Sequence, residues 1–149
     1  MPQRDNKSNT QMVFLGTLAL SGTTAAASAW VDTRGFDSAT LIIKTNTVTD
    51  AGTAAGFATE MQEGDDSTAA GATAVADGEI IGLESSLTVT ADTDDNKIIG
   101  GLGYVGSKRY ARFNVTGTTG TSAGVEVYAI LSNASVCPTT FVGTSVAAT

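Results

Sequence analysis

Residues 100–131 read GGLGYVGSKRYARFNVTGTTGTSAGVEVYAIL, and polar and apolar side chains alternate along two parts of this stretch. A period of two places successive side chains on opposite faces of a strand. Between residues 108 and 115, Arg109, Ala111, Phe113 and Val115 share one face, and Lys108, Tyr110, Arg112 and Asn114 share the other. Between residues 125 and 131, Val125, Val127, Ala129 and Leu131 oppose Glu126, Tyr128 and Ile130. The intervening residues 117–124 are rich in Gly and Thr, the composition of a hairpin connection. The expectation is an antiparallel hairpin whose face of Phe113, Val115, Val125, Val127 and Leu131 covers a core. The other face gathers Lys108, Tyr110, Arg112, Tyr128 and Ile130. A sheet face that holds aromatics and cations together is expected to touch a partner.

The composition extends this strand reading to the whole chain. With 17 Gly, 24 Thr and only 15% charged residues, the sequence is poorly suited to helices, whereas Thr suits a pleated surface. A chain of 149 residues buries roughly 70% of its unfolded surface without staples, so one all-β domain is expected. The net charge of −7 argues against nucleic acid as a partner, because phosphate binding needs a positive footprint. One cysteine, Cys137, excludes an intramolecular disulfide, and with no histidine every His-dependent triad and the commonest metal ligand are missing. No apolar run reaches the roughly 18 residues of a membrane helix. Arg4 with Lys7, then residues 12–20, then residues 25–29 imitate the three regions of a secretory signal. Gly16 and Thr17 interrupt the apolar part, so residues 11–20 are read as a strand that is apolar on both faces.

Taken in order, residues 1–10 are polar and unpatterned and are expected to form a flexible N-terminal arm. Residues 11–135 form the β-sandwich domain. Short strands are expected at 11–20, 30–31, 39–46, 57–63, 79–82 and 87–90, then at 97–105 leading into the hairpin. Residues 136–149 form a C-terminal tail whose bulky anchors are Phe141 and Val142. About eight short strands separated by turn signals indicate a jelly-roll-like antiparallel β-sandwich. Charge is unevenly spread, with eleven acids and no Lys or Arg between residues 45 and 96, and four cations and no acid between 97 and 114. Two separated patches of opposite sign are expected to orient a contact with a partner or with another copy.

Several motifs imitate chemistry. Gly101-Leu-Gly103-Tyr-Val-Gly106 matches G-x-G-x-x-G, but a dinucleotide site needs a helix after it, and here a strand pattern follows. Those glycines are expected to serve a tight turn or bulge. Asp92, Asp94 and Asn96 have the first three oxygen spacings of a calcium loop. Lys97 and Gly103 stand where that loop needs Gly and Glu, so a solvated acidic turn is expected. Glu60, Glu63, Asp65 and Asp66 offer carboxylates of the type glycosidases use, but alternation separates Glu60 from Glu63, and no apolar pocket is indicated to raise one pKa. Cys137 precedes Pro138 and has no histidine to activate it. The expectation is no enzyme, no cofactor and no metal.

Three segments carry a resemblance: WVDTRGFDS at 30–38, Phe57 with EMQEGDDS at 60–67, and GYVGSKRYAR at 103–112. Over roughly residues 12–138 the chain resembles small head proteins encoded beside the major capsid protein of tailed bacteriophages, the Bordetella podophage cement protein family. The Gly-Tyr-x-Gly-x-Lys-Arg-Tyr segment is its most specific part. The family often has Glu-Ser-Asp-Asp where this chain has Glu63-Gly64-Asp65-Asp66, and its members usually end soon after a Pro, whereas this chain continues past Pro138. The resemblance implies a structural virion protein that coats the capsid exterior, bridges and stabilises neighbouring major capsid subunits, and is present in the host cytoplasm during assembly. It also implies a homodimer or other small symmetric oligomer; that nucleic acid and membrane are not partners is the expectation from charge and composition. Arg4, Lys7, Lys108, Tyr110, Arg112, Tyr128, Ile130, Phe141 and Val142 are the residues expected to contact capsid or another copy. Alternatives are another phage structural part, from tail or fibre, or a carbohydrate- or calcium-binding β module.

Overall fold

Alternation becomes burial along almost every strand of the computed structural model, which describes residues 8–135. Ten strands are present among those residues: β1 (Thr10–Ser21), β2 (Ala25–Ala27), β3 (Val31–Asp32), β4 (Phe36–Asp50), β5 (Ala58–Gly64), β6 (Thr73–Ala74), β7 (Ile80–Ile81), β8 (Ile98–Tyr104), β9 (Tyr110–Thr116) and β10 (Ser122–Ala134). Three single turns of 3-10 helix interrupt the long connection between β5 and β8. One sheet, sheet A, has the order β1-β10-β4-β8-β7, and sheet B has the order β2-β9-β5-β6 with β3 also on β9. All pairs are antiparallel. The chain passes repeatedly from one sheet to the other, as in a jelly roll, so the all-β sandwich expected from composition is the fold observed.

The expected hairpin is not a hairpin. β9 lies in sheet B and β10 in sheet A, so residues 117–121 arch between the sheets instead of folding one strand back on its neighbour. Both strands nevertheless present the faces read from sequence, since Ala111, Phe113 and Val115 of β9 and Val125, Val127, Ala129 and Leu131 of β10 are all buried in one core. Alternation is satisfied equally by two strands side by side and by two strands facing each other across a core. The core is completed by Leu15, Leu18 and Leu20 of β1, Leu41 and Ile43 of β4, Met61 of β5 and Leu102 of β8, together with Phe57, Leu87 and Val89 from the connections. Burying a side chain of this size contributes roughly 1.5–3 kcal/mol, and this cluster is the main source of stability.

The ends and connections depart from expectation in smaller ways. β1 begins at Thr10, opposite Ser132, and the side chain of Asn9 accepts a hydrogen bond from Ala134 N–H at 2.8 Å, so the sheet takes in residues assigned to the arm. Register shifts between Phe14 and Gly16, where Gly16 has φ of +113°, a bulge at the interruption noted in the sequence. The expected strand at 87–90 is only a single bridge between Val89 and Phe57. Gly101 and Gly103 lie inside β8, not in a turn. Arg4, Lys7, Cys137, Phe141 and Val142 lie outside the described residues.

Candidate interaction surface

Because β9 and β10 occupy different sheets, the expected aromatic and cationic face is divided between opposite sides of the sandwich. Tyr110 and Arg112 point outward from sheet B, and Tyr128 and Ile130 point outward from sheet A.

On sheet B the polar side chains are engaged with one another. The Arg112 guanidinium stacks 4.3 Å from the centre of the Trp30 ring, and its Nε donates to Gln62 Oε1 at 3.0 Å. Arg109 donates twice to Asp32, from Nε at 3.0 Å and from the terminal nitrogen at 2.7 Å, and lies over Tyr110 at 4.8 Å. That bidentate pair, helped by the Arg34 backbone N–H, holds the Asp32 carboxyl below the usual carboxylate range. Lys108 Nζ meets Asp65 at 2.6 Å, and Lys97 meets Asp94 at 2.7 Å. Lys108, Arg109 and Arg112 are therefore each placed against a partner brought from elsewhere in the chain, and Lys97 against Asp94 of its own turn. Among the described residues the cations of 97–114 thus lie beside acids or other partners and not in a separate positive patch, unlike the two opposed patches expected from sequence.

The segment 103–110, the most specific part of the resemblance, forms a clasp between the sheets. Tyr104 ends β8 in sheet A, and its hydroxyl donates to Glu63 Oε2 of β5 in sheet B at 2.7 Å while accepting from the Lys108 N–H at 2.9 Å. Both side chains are buried, at 6% and 8% exposure. Burial, and then the hydrogen bond to Glu63, push the Tyr104 phenol well above its ordinary value. Gly106 is required by close approach, since a Cβ there would stand 2.4 Å from the Tyr104 ring and 2.6 Å from Glu63 Oε2. Glu63 is thus committed to a structural bond. Glu84 accepts from Met61 N–H at 2.6 Å and caps the edge of β5, while Asp66 accepts from both the N–H and the hydroxyl of Thr68. In the acidic turn, Asp92 accepts from Ala51 N–H at 2.7 Å and Asp95 from Val48 N–H at 2.5 Å. These carboxylates serve backbone donors next to β4. Among the described residues no group of three or more His, Cys, Asp or Glu is placed to hold a metal ion, and no helix is long and apolar enough to cross a membrane.

Sheet A carries a different outer surface. Phe14, Tyr128, Ile42 and Gly101 form one row across β1, β10, β4 and β8, and Met12, Ile130, Thr40, Gly103 and Ile81 form the next row across all five strands. Phe14 and Tyr128 lie with ring centres 5.2 Å apart. Met12 is 47% exposed, Phe14 38% and Ile81 65%. Along one side of this panel Lys44 and Glu126 pair at 3.6 Å. The Tyr128 hydroxyl donates to Glu126 at 2.7 Å, which lowers the Glu126 carboxyl and raises the Tyr128 phenol. Of the residues expected to make contacts, Tyr128 and Ile130 lie in this panel, whereas Lys108, Tyr110 and Arg112 lie on the far side. Ile42 and Ile81 were not singled out from sequence, and Met12 and Phe14 entered only within residues 11–20, the strand read as apolar on both faces and as a candidate for burial on docking. The signal was present, because a strand apolar on both faces, as 11–20 is, has apolar side chains left over once one face covers the core.

The class defined by this geometry is an all-β sandwich with one apolar and one polar outer face. No protein-family model matches the chain, and no curated protein matches it.

Proposed function

We propose that the protein is a structural component of a phage virion that binds the outer surface of the capsid and bridges neighbouring major capsid subunits. The observation that carries this reading is the outer face of sheet A, where two adjacent rows place Met12, Phe14, Ile42, Ile81, Tyr128 and Ile130 at the surface. Contiguous exposed apolar area of this type is characteristic of a protein contact. The carboxylates that might have suggested hydrolysis, Glu60, Glu63, Asp65 and Asp66, each accept a bond from Gln62, Tyr104, Lys108 and Thr68 respectively, which favours an adhesive role over a catalytic one. Repeated on a lattice, a modest contact of this kind adds up as avidity. The resemblance of segments 30–38, 57–67 and 103–112 to phage cement proteins supports the same reading.

The test is co-sedimentation with capsids of the source phage prepared without this protein. Met12→Asp and Phe14→Asp are expected to lower binding at least tenfold, about 1.4 kcal/mol or more, with little change in the thermal midpoint. Ala25→Asp, on an exposed position of sheet B, is expected to leave binding intact. Equal binding by all variants, or no binding by the unaltered protein, refutes the proposal.

A further inference from the structure

A polar cleft of about 550 Å³ lies at the edge of sheet B, apart from the apolar panel on sheet A. Along this edge of β5 the backbone is served on either side of Thr59. Phe57 and Val89 exchange bonds, each N–H reaching the other's carbonyl oxygen at 3.0 Å. The Met61 N–H donates to Glu84 Oε1 at 2.6 Å, and its carbonyl oxygen accepts from the Val75 N–H at 3.0 Å. In an antiparallel ladder alternate residues turn their N–H and C=O to the same side. Those of Thr59 therefore also point away from β9, toward the segment 84–88. Thr59 lines the cleft, is only 3% exposed, and its hydroxyl has no hydrogen-bond partner among the described residues. A buried polar group left in this way costs free energy unless something binds it.

The rest of the lining decides what chemistry suits it. Glu60 and Glu84 bring carboxylates, Ser85 and Thr88 bring hydroxyls, Asn114 brings an amide, and no Lys, Arg or aromatic ring is among the lining residues. Glu60 Oε2 accepts from Gln62 Nε2 at 2.9 Å and Glu84 Oε1 from the Met61 N–H, which leaves each carboxylate a second oxygen. We propose that this cleft binds an alkylammonium group, the chemistry of a lysine side chain or of a free polyamine. An ammonium carries three donors and no acceptor, which matches two carboxylates and an oxygen of Thr59. An anion would meet two carboxylates and no cation. An aromatic ligand finds no ring to stack on. The cleft belongs to the other sheet from the panel, so this site stands or falls separately from the capsid reading.

The test titrates the isotope-labelled full-length protein with acetyl-lysine methylamide and follows its amide chemical shifts. Saturable shifts at Thr59, Glu60 and Ser85 are expected, with a Kd in the millimolar range, as suits partly solvated ion pairs. The norleucine analogue keeps the carbon chain and lacks the ammonium, and it is expected to give none. Glu60→Gln and Glu84→Gln keep an oxygen for the bonds from Gln62 and Met61 but remove the charge, and each should weaken binding about threefold or more. Thr59→Val keeps the shape and removes the hydroxyl. It should weaken binding about twofold while the thermal midpoint does not fall. Putrescine distinguishes the sources: tighter binding of the lysine derivative points to a protein chain, and tighter binding of putrescine to a free polyamine. No saturable shift, equal shifts with the norleucine analogue, or unchanged binding in both Gln variants overturns the proposal. A response to methyl glucoside alone overturns it too, because the cleft then takes a neutral sugar.

Discussion

Replacing Tyr104 by Phe removes one oxygen atom from the clasp between the sheets and leaves the ring to pack as before. That oxygen serves two partners, Glu63 Oε2 at 2.7 Å and the Lys108 N–H at 2.9 Å. Glu63 is only 8% exposed, so water does not readily replace the hydroxyl. A hydrogen bond to a charged group contributes about 1.5–3 kcal/mol, and an orphaned buried donor costs about 1–3 kcal/mol. Allowing for relaxation of the 103–110 segment, Tyr104→Phe is expected to destabilise the fold by roughly 2–4 kcal/mol. With a urea dependence of about 2 kcal/mol per molar, the unfolding midpoint should fall by about 1–2 M at unchanged slope. Pairing Tyr104→Phe with Glu63→Gln should give a strongly non-additive cycle, since each change removes the same bond. A midpoint shift below about 0.3 M, or additive single changes, refutes the assignment of Tyr104 as the cross-sheet tie.

Gly106→Ala attacks the same clasp from outside, because its Cβ would stand 2.4 Å from the Tyr104 ring; urea unfolding should show a loss similar to that of Tyr104→Phe. Gly56→Ala should be more damaging, since φ there is +67° and a Cβ would stand 1.9 Å from the Val89 carbonyl oxygen; the expected readout is insoluble expression or a collapsed thermal midpoint. Phe113→Ala, at 0% exposure in the middle of β9, should cost about 3–5 kcal/mol in urea unfolding. The folded pKa values of Asp32 and Glu126 are depressed, so their contribution is present above the ordinary carboxylate range near 4 and is lost as pH falls through the folded values. Both sites are partly open to solvent, so added salt should flatten this acid limb of a midpoint-against-pH curve. Tyr104 has a raised pKa, so its contribution is full below the ordinary tyrosine value near 10 and is lost as pH rises toward the folded value; Tyr104→Phe should remove most of that alkaline limb.

Much of the sandwich was legible because its cause is local. Alternation assigned the buried and exposed sides of β9 and β10, and the resulting set from Ala111 to Leu131 forms the centre of the core. Pairing was not legible, since the inward face of a strand reads the same whether its sequence neighbour lies beside it or across the core. β2 and β6 were missed because runs of Ala and Thr offer little polarity contrast. β4 extends from Phe36 to Asp50, beyond the expected 39–46, because Ser38 and Asp50 lie outside the apolar core run yet still pair along the sheet, with Ser132 and Ser122. At the surface, Tyr128 and Ile130 could be selected from their own strand, but their neighbours Phe14 and Ile42 come from β1 and β4 and join them only through the sheet register. The sequence clustering of cations misled for the same reason: Asp32 and Asp65 reach Arg109 and Lys108 from two distant parts of the chain.

β10 is the last described strand to be synthesised, yet it sits between β1 and β4, one of which is the first to be made. A ribosome adding roughly 5–20 residues per second therefore leaves two long ladders without their central partner until residue 134 emerges. The molecule cannot mature piecemeal from its N-terminus. A stalled product ending before Ser122 would expose pairing edges on both β1 and β4, so incomplete chains should aggregate or be degraded rather than accumulate as partly active fragments.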